Sequence, residues 1–291
     1  METPIHRSVR LSALEGFARS ESLKARKERP LLVVRGDFSH FQQSTLAKVA
    51  AAGYFDIADA SDWKAADHAG RPVAAIRWRE GEKVPVPSGS FRSVINDVPF
   101  IKSRDAVQKA LKRAAGYNSA VDPRQHVGPG VIRSATSAGN DGIPTEFPVT
   151  AEQYSAKRSY ESLIDNVCGE IGGQNYVVDI TLSLVGNAVP YCYLKFRKER
   201  NRFQAANEQV VLAIPTDVLT TQELEICRQT VRHLKLGYAE INVLRSSSTD
   251  RIYIVGVDET PLGPPPELSD EGAKMAIRLL GSTIADRWWL A

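Results

Sequence analysis

The sequence predicts an α/β protein in which short apolar strands are interleaved with amphipathic helices. Four stretches carry that expectation. Leu31-Leu32-Val33-Val34 is a continuous apolar run closed by Arg35-Gly36-Asp37, the pattern of a buried strand and its turn. A helical stretch from about Gln42 to Ala52, stopped at Gly53, follows it, and a βα start of this kind favours a layered α/β architecture. Thr220 and Glu223 stand at capping-box spacing ahead of Leu224, Cys227, Val231 and Leu234, so a helix runs to Lys235 with Gly237 as its expected C′ residue. Tyr238 to Asp258 reads as two strands joined by the polar turn Ser246 to Asp250.

The remaining elements follow in chain order. Residues 8–29 read as a charged helix with Leu11, Leu14, Phe17, Ala18 and Leu23 as an interrupted stripe, ended by Pro30. Val73 to Trp78 reads as a strand, Pro85 to Gly89 as a loop, and Phe91 to Asn96 as another strand. Ser103 caps a helix from Arg104 to Ala115, closed by Gly116. Residues 159–165 are a short extended segment, and strands are expected at 176–183, 188–196 and 209–214. A last helix, 270–289, presents Ala276, Leu280, Ile284 and Trp288 at four-residue steps.

Composition narrows the function classes. The chain has 291 residues, 43% hydrophobic and 24% charged, enough for a large core. No run approaches a membrane span, and the charged N-terminus has no apolar segment of the secretory type. Cys168, Cys192 and Cys227 are odd in number and far apart, which fits buried thiols in a reducing cytoplasm, and the scattered histidines argue against zinc. The net charge of +3 resides in residues 1–29, so a nucleic-acid binder is not indicated.

Three segments carry candidate chemistry. Val131-Ile132-Arg133 runs into Ser134 to Gly142, a loop of small residues whose backbone N–H groups could approach phosphates, as a mobile surface hairpin tip would equally allow. Arg133 could hold a phosphate or make a surface ion pair. Lys195, Arg197, Lys198, Arg200 and Arg202 crowd the end of the 188–196 strand, suited to phosphates, carboxylates or an acyl phosphate, to stacked nucleic acid among Tyr191, Tyr193, Phe196 and Phe203, or to plain solvation. On the hairpin, Glu240, Asn242 and Asp258 offer hard oxygens for a magnesium ion, or are polar residues of an exposed face.

In order and spacing these pieces resemble the ATP-grasp superfamily, over roughly residues 91 to 290. The resemblance implies two α+β lobes, about 91–165 and 166–290, sandwiching ATP behind an N-terminal region of residues 1–90. Arg133 stands where the family keeps a phosphate-binding lysine, and Ser134, Thr136, Ser137 and Gly139 fall in its loop over the phosphates. Glu161, Leu163 and Asp165 fall in the hinge that meets adenine and ribose. Arg197 and Arg202 fall where arginines stabilise the acyl phosphate, and Glu240, Asn242 and Asp258 on the metal-bearing strands. The family usually has Asp at Asn242, Asp or Glu at Gly256, and Asn at Asp258, so the charge on the metal site falls by about one. The resemblance therefore implies one of two proteins. The first is an ATP-dependent carboxylate-amine ligase with ATP and magnesium. The second is a non-catalytic relative, a pseudoenzyme binding a nucleotide, an acidic small molecule, a peptide or a partner protein. A binder of phosphate-rich polymers is the third reading, and oligomeric state stays open.

Overall fold

The computed structural model describes residues 29–64, 71–78, 91–97, 103–136 and 141–289. The expected helix at 8–29, the Pro85–Gly89 loop, Ser137 and Gly139 lie outside the described residues.

The first layer is a parallel sheet. β1 (Leu31–Gly36) lies between β2 (Asp56–Asp59) and β3 (Val73–Trp78), and β3 pairs in turn with β4 (Ser93–Ile95). Both faces of β1 are buried, Leu32 and Val34 in one core and Leu31 and Val33 in another, which explains why its sequence is apolar without alternation. α1 (Phe38–Phe41) is one turn, and α2 (Thr45–Ala51) starts where the Ser44 hydroxyl accepts the Ala47 amide. β4, which follows the expected boundary at residue 90, pairs into this same sheet.

α3 (Arg104–Ala115) follows, capped by Ser103 and ended by Gly116 at φ 82°, as the sequence predicts. A small antiparallel sheet comes next, with β5 (Gly128–Ser134) between β6 (Ile143–Phe147) and β7 (Arg158–Ser162). The largest sheet has the order β11 (Gln209–Ala213), β10 (Cys192–Lys198), β9 (Gln174–Val185), β12 (Tyr238–Arg245), β13 (Ile252–Asp258), with β8 (Val167–Ile171) also on β9. α4 (Pro215–Val218) and α5 (Thr221–His233) cross one face, and α6 (Asp270–Ile284) with a π-turn at Ala285–Trp289 completes the chain. The Thr220/Glu223 capping box forms as expected. The left-handed position after α5 is taken by Lys235, φ 58°, and not by Gly237.

Three features tie the layers together. α3 buries Val107, Ala110 and Leu111 in the same core as Leu224, Cys227 and Val231 of α5 and Ile241 of β12. It therefore packs with the large sheet. α6 buries Ala276, Leu280 and Ile284 in the core that contains Leu32 and Val34. Gly281 makes that packing fit, since a Cβ there would stand 2.6 Å from the Tyr54 ring. Asn96, buried and at φ 56°, joins the end of β4 to the start of β12. Its Nδ2 donates to the Tyr238 carbonyl at 2.8 Å, and its Oδ1 accepts the amides of Gly237 and Tyr238 at 2.8 and 3.0 Å. Asn96→Ala leaves three backbone groups without that partner. It should cost about 2 kcal/mol, read as a lower urea midpoint at unchanged slope.

Cys192 and Cys227 are buried, and burial pushes both thiols up to about 12. Cys168 is exposed, against the expectation of a buried thiol. Among the described residues no helix is long and apolar enough to cross a membrane.

Candidate functional site

The two faces of the large sheet differ in chemistry. Ile180, Leu182, Leu184, Cys192, Ala239, Ile241, Val243 and Ile254 pack beneath α3 and α5. The strand register puts Asp179, Thr181, Ser183, Tyr191, Tyr193, Lys195, Arg197, Tyr238, Glu240, Asn242 and Asp258 on the opposite face. A sheet face that is polar yet largely buried is organised for more than solubility. Its hydroxyls are buried and lean on one another, Tyr191 on Tyr193 and Ser183, and Tyr238 on Thr45 of α2, while Oε1 of Glu240 is buried without a hydrogen bond. Burial raises the Tyr191, Tyr193 and Tyr238 hydroxyls and pushes the Glu240 carboxyl up from 4.5 to about 7. Lys195 offsets that rise and Asp258 adds to it. Burial likewise lowers Lys195, against the pull of Glu240.

The small sheet faces this surface with Arg133. The register places Val131 beside Glu161, and Arg133 beside Ser159, on one side of the sheet. Burial lowers the Arg133 guanidinium, with Glu161 and then Arg104, Asp141 and Asp179 acting on it. The three acids have other partners. Glu161 accepts Ser119 and Ser159 hydroxyls, Asp141 pairs with Arg104 at 2.9 Å, and Asp179 pairs with Arg197 at 2.6 Å. Among the described residues, no acid forms an ion pair with Arg133, whose buried Nε has no acceptor. The result is a desolvated cation with no acid of its own among the described residues. A groove of about 580 Å³ lies elsewhere, beside Asn96, Asn187, Lys235 and Trp288.

No protein-family model and no curated protein sequence matches the chain. Solved structures do. The ATP-grasp ligase PsnB, complexed with a minimal precursor, Mg and ADP, superposes with a TM-score of 0.50 at 12% identity, over 87% of this chain and 96% of that one. D-alanine–D-alanine ligase from Bacillus anthracis, complexed with ATP, gives a TM-score of 0.50 at 12% identity, over 88% and 96%. The chain has an ATP-grasp fold.

The expected site residues divide into those left unengaged and those committed to the protein. Arg133 is of the first kind. Ser134 and Thr136 bond to each other at 2.8 Å, and the Ser134 amide donates to Asp141 at 2.7 Å. The Leu163 amide already donates to the Pro129 carbonyl at 3.0 Å. Asp165 accepts both the amide and the hydroxyl of Ser247 at 2.7 Å, which fastens this segment to the β12–β13 turn.

Arg197 and Arg202 are engaged throughout. Arg197 is buried, pairs with Asp179, donates from Nε to Asn207 at 3.0 Å, and reaches the Arg202 carbonyl at 3.3 Å. Arg202 donates to the Ile164 carbonyl at 3.1 Å and to Asn166 at 2.6 Å. The sequence showed the basic cluster but not these acceptors, which come from three other segments.

Magnesium does not fit the hairpin as it stands. Asn242 Oδ1 accepts the Thr181 hydroxyl at 2.8 Å, and Asp258 Oδ1 accepts the Thr260 amide at 2.9 Å. A Cβ on Gly256 would meet Asn242 Nδ2 at 3.2 Å, so the amide fills the space a carboxylate side chain would use. Glu240 faces Asp258 directly across the strands, but its Oε1 is buried. Among the described residues no three of His, Cys, Asp or Glu gather around one point.

Proposed function

We propose that this ATP-grasp protein binds a nucleotide between its two lobes at a site that no longer depends on magnesium. Arg133 holds phosphates, and the Glu161–Asp165 segment meets the base and ribose. Arg197 and Arg202 support the cleft wall. The observation that carries this reading is the interlock of Asn242 and Gly256, which puts a neutral amide and no side chain where carboxylate ligands would stand. Without a bridging cation, phosphate charge is met by arginine.

Calorimetric titration with ATP, with and without magnesium, tests the reading. Equal affinities are expected, and strong magnesium dependence would refute the loss of the metal position. Asn242→Asp with Gly256→Glu restores the missing carboxylates and should make binding magnesium-dependent by about tenfold. An unchanged double variant would show that this hairpin does not face the phosphates.

One observation favours a second reading, an atypical carboxylate-amine ligase. Lys195, Glu240 and the clustered hydroxyls form a buried polar surface on the large sheet. There ATP would phosphorylate a carboxylate, releasing ADP, and an amine would displace phosphate from the acyl phosphate. PsnB holds a precursor peptide, and a peptide carboxylate is the substrate class this reading carries over. Peptide-stimulated ADP release would establish it over the binding reading.

A further inference from the structure

Resting on the proposed phosphate site, we infer that Phe203 is a positioning residue, which holds Arg133 by the face of its ring and leaves the guanidinium N–H groups free for an anion. The Arg133 Cζ lies 5.4 Å from the Phe203 ring centroid. A cation held by a π-face uses none of its in-plane hydrogen-bond donors. An ion pair would consume them, and among the described residues Arg133 has none, while its Nε is buried without an acceptor. A desolvated arginine fixed in this way is presented to a ligand at little further ordering cost.

Two further neighbours bear on the ring. A Cβ on Gly142 would stand 2.4 Å from Phe203 Cδ1 and 2.7 Å from Cε1, so the ring lies against that backbone and only glycine admits it. The Arg202 Cζ is 6.0 Å from the same ring centroid. Arg202 is anchored by Ile164 and Asn166 just past the hinge. A continuous line of contacts thus runs from the hinge through Arg202 and Phe203 to Arg133, and it links the two lobes.

The test compares wild type, Phe203→Leu and Phe203→Tyr, titrated with ATP, inorganic pyrophosphate and adenosine. Phe203→Leu should weaken ATP and pyrophosphate alike by about fivefold and leave adenosine unchanged, and Phe203→Tyr should restore both. Wild-type affinity in Phe203→Leu, or an equal loss for adenosine, overturns the inference. Pyrophosphate binding without ATP or adenosine binding sinks the nucleotide reading, while the Leu/Tyr contrast on pyrophosphate still decides the role of Phe203. Binding of none of the three overturns both. In the unliganded protein, NMR of the Arg133 Nε–H gives an independent readout. Slow solvent exchange is expected in wild type and Phe203→Tyr and fast exchange in Phe203→Leu, and equal exchange in all three overturns the inference.

Discussion

Arg197→Ala should destabilise the protein by about 3–5 kcal/mol, because it strips the partner from a carboxylate that the fold keeps largely buried. The Asp179 side chain is 20% exposed and that of Arg197 5%. After the substitution Asp179 retains Asn166 Nδ2 at 3.0 Å, while Asn207 Oδ1 and the Arg202 carbonyl lose a donor. In a chain of this size the melting temperature should fall by about 10 °C. Replacing both charges, Arg197→Met with Asp179→Leu, should recover most of the loss, since the cost lies in the uncompensated charge rather than in the missing attraction. Should Arg197→Ala keep wild-type stability and lose anion binding instead, Arg197 would be a ligand group and not a strut.

Glu240 should make stability fall with rising pH. Its carboxyl is pushed up from 4.5 to about 7, first by burial, with Lys195 opposing and Asp258 reinforcing. Between these values the folded chain holds a proton that the unfolded chain has released. Stability is thus greatest below about 4.5, declines through the window, and levels off above about 7. The decline from this group is about 3 kcal/mol. Glu240→Gln should flatten it, so the variant gains on wild type at pH 8 and loses that advantage near pH 5. Urea unfolding at a series of pH values measures both, and identical slopes would show that Glu240 is ionised and solvated in the folded chain.

Local rules recovered much of this architecture. The Ser103 and Thr220 caps, the Gly116 stop and the apolar stripe of α5 depend on neighbours within a turn, and each appears where the sequence puts it. The β12–β13 hairpin does too, because its alternation is sustained over both strands. β6 and β8 were not expected. β6 contains Pro144 and β8 contains Gly169, and each is made a strand by its partner, β5 and β9 respectively. The placement of α3 against α5 was invisible for the same reason, since an apolar stripe does not name the surface that covers it. At the site, residue types were legible and their engagement was not. Arg133, Arg197 and Arg202 look alike as letters. Acceptors at positions 164, 166, 179 and 207 distinguish them, and none lies close enough in sequence to betray itself. Phe203 went unrecognised as a support, though it stands beside the arginines in the sequence. Its meaning comes from Gly142, some sixty positions earlier.

The seat of α6 has a consequence for synthesis. The parallel sheet is made well before α6, yet one of its faces shares a core with that helix, where Gly281 takes up the Tyr54 ring. Phe41, Leu46 and Val49 reach that face early in translation, but they form only part of its cover. Completion of the first layer therefore waits on a helix far later in the chain. In the interval the Tyr54 ring and its apolar neighbours Leu32 and Ile76 are where a chaperone would act.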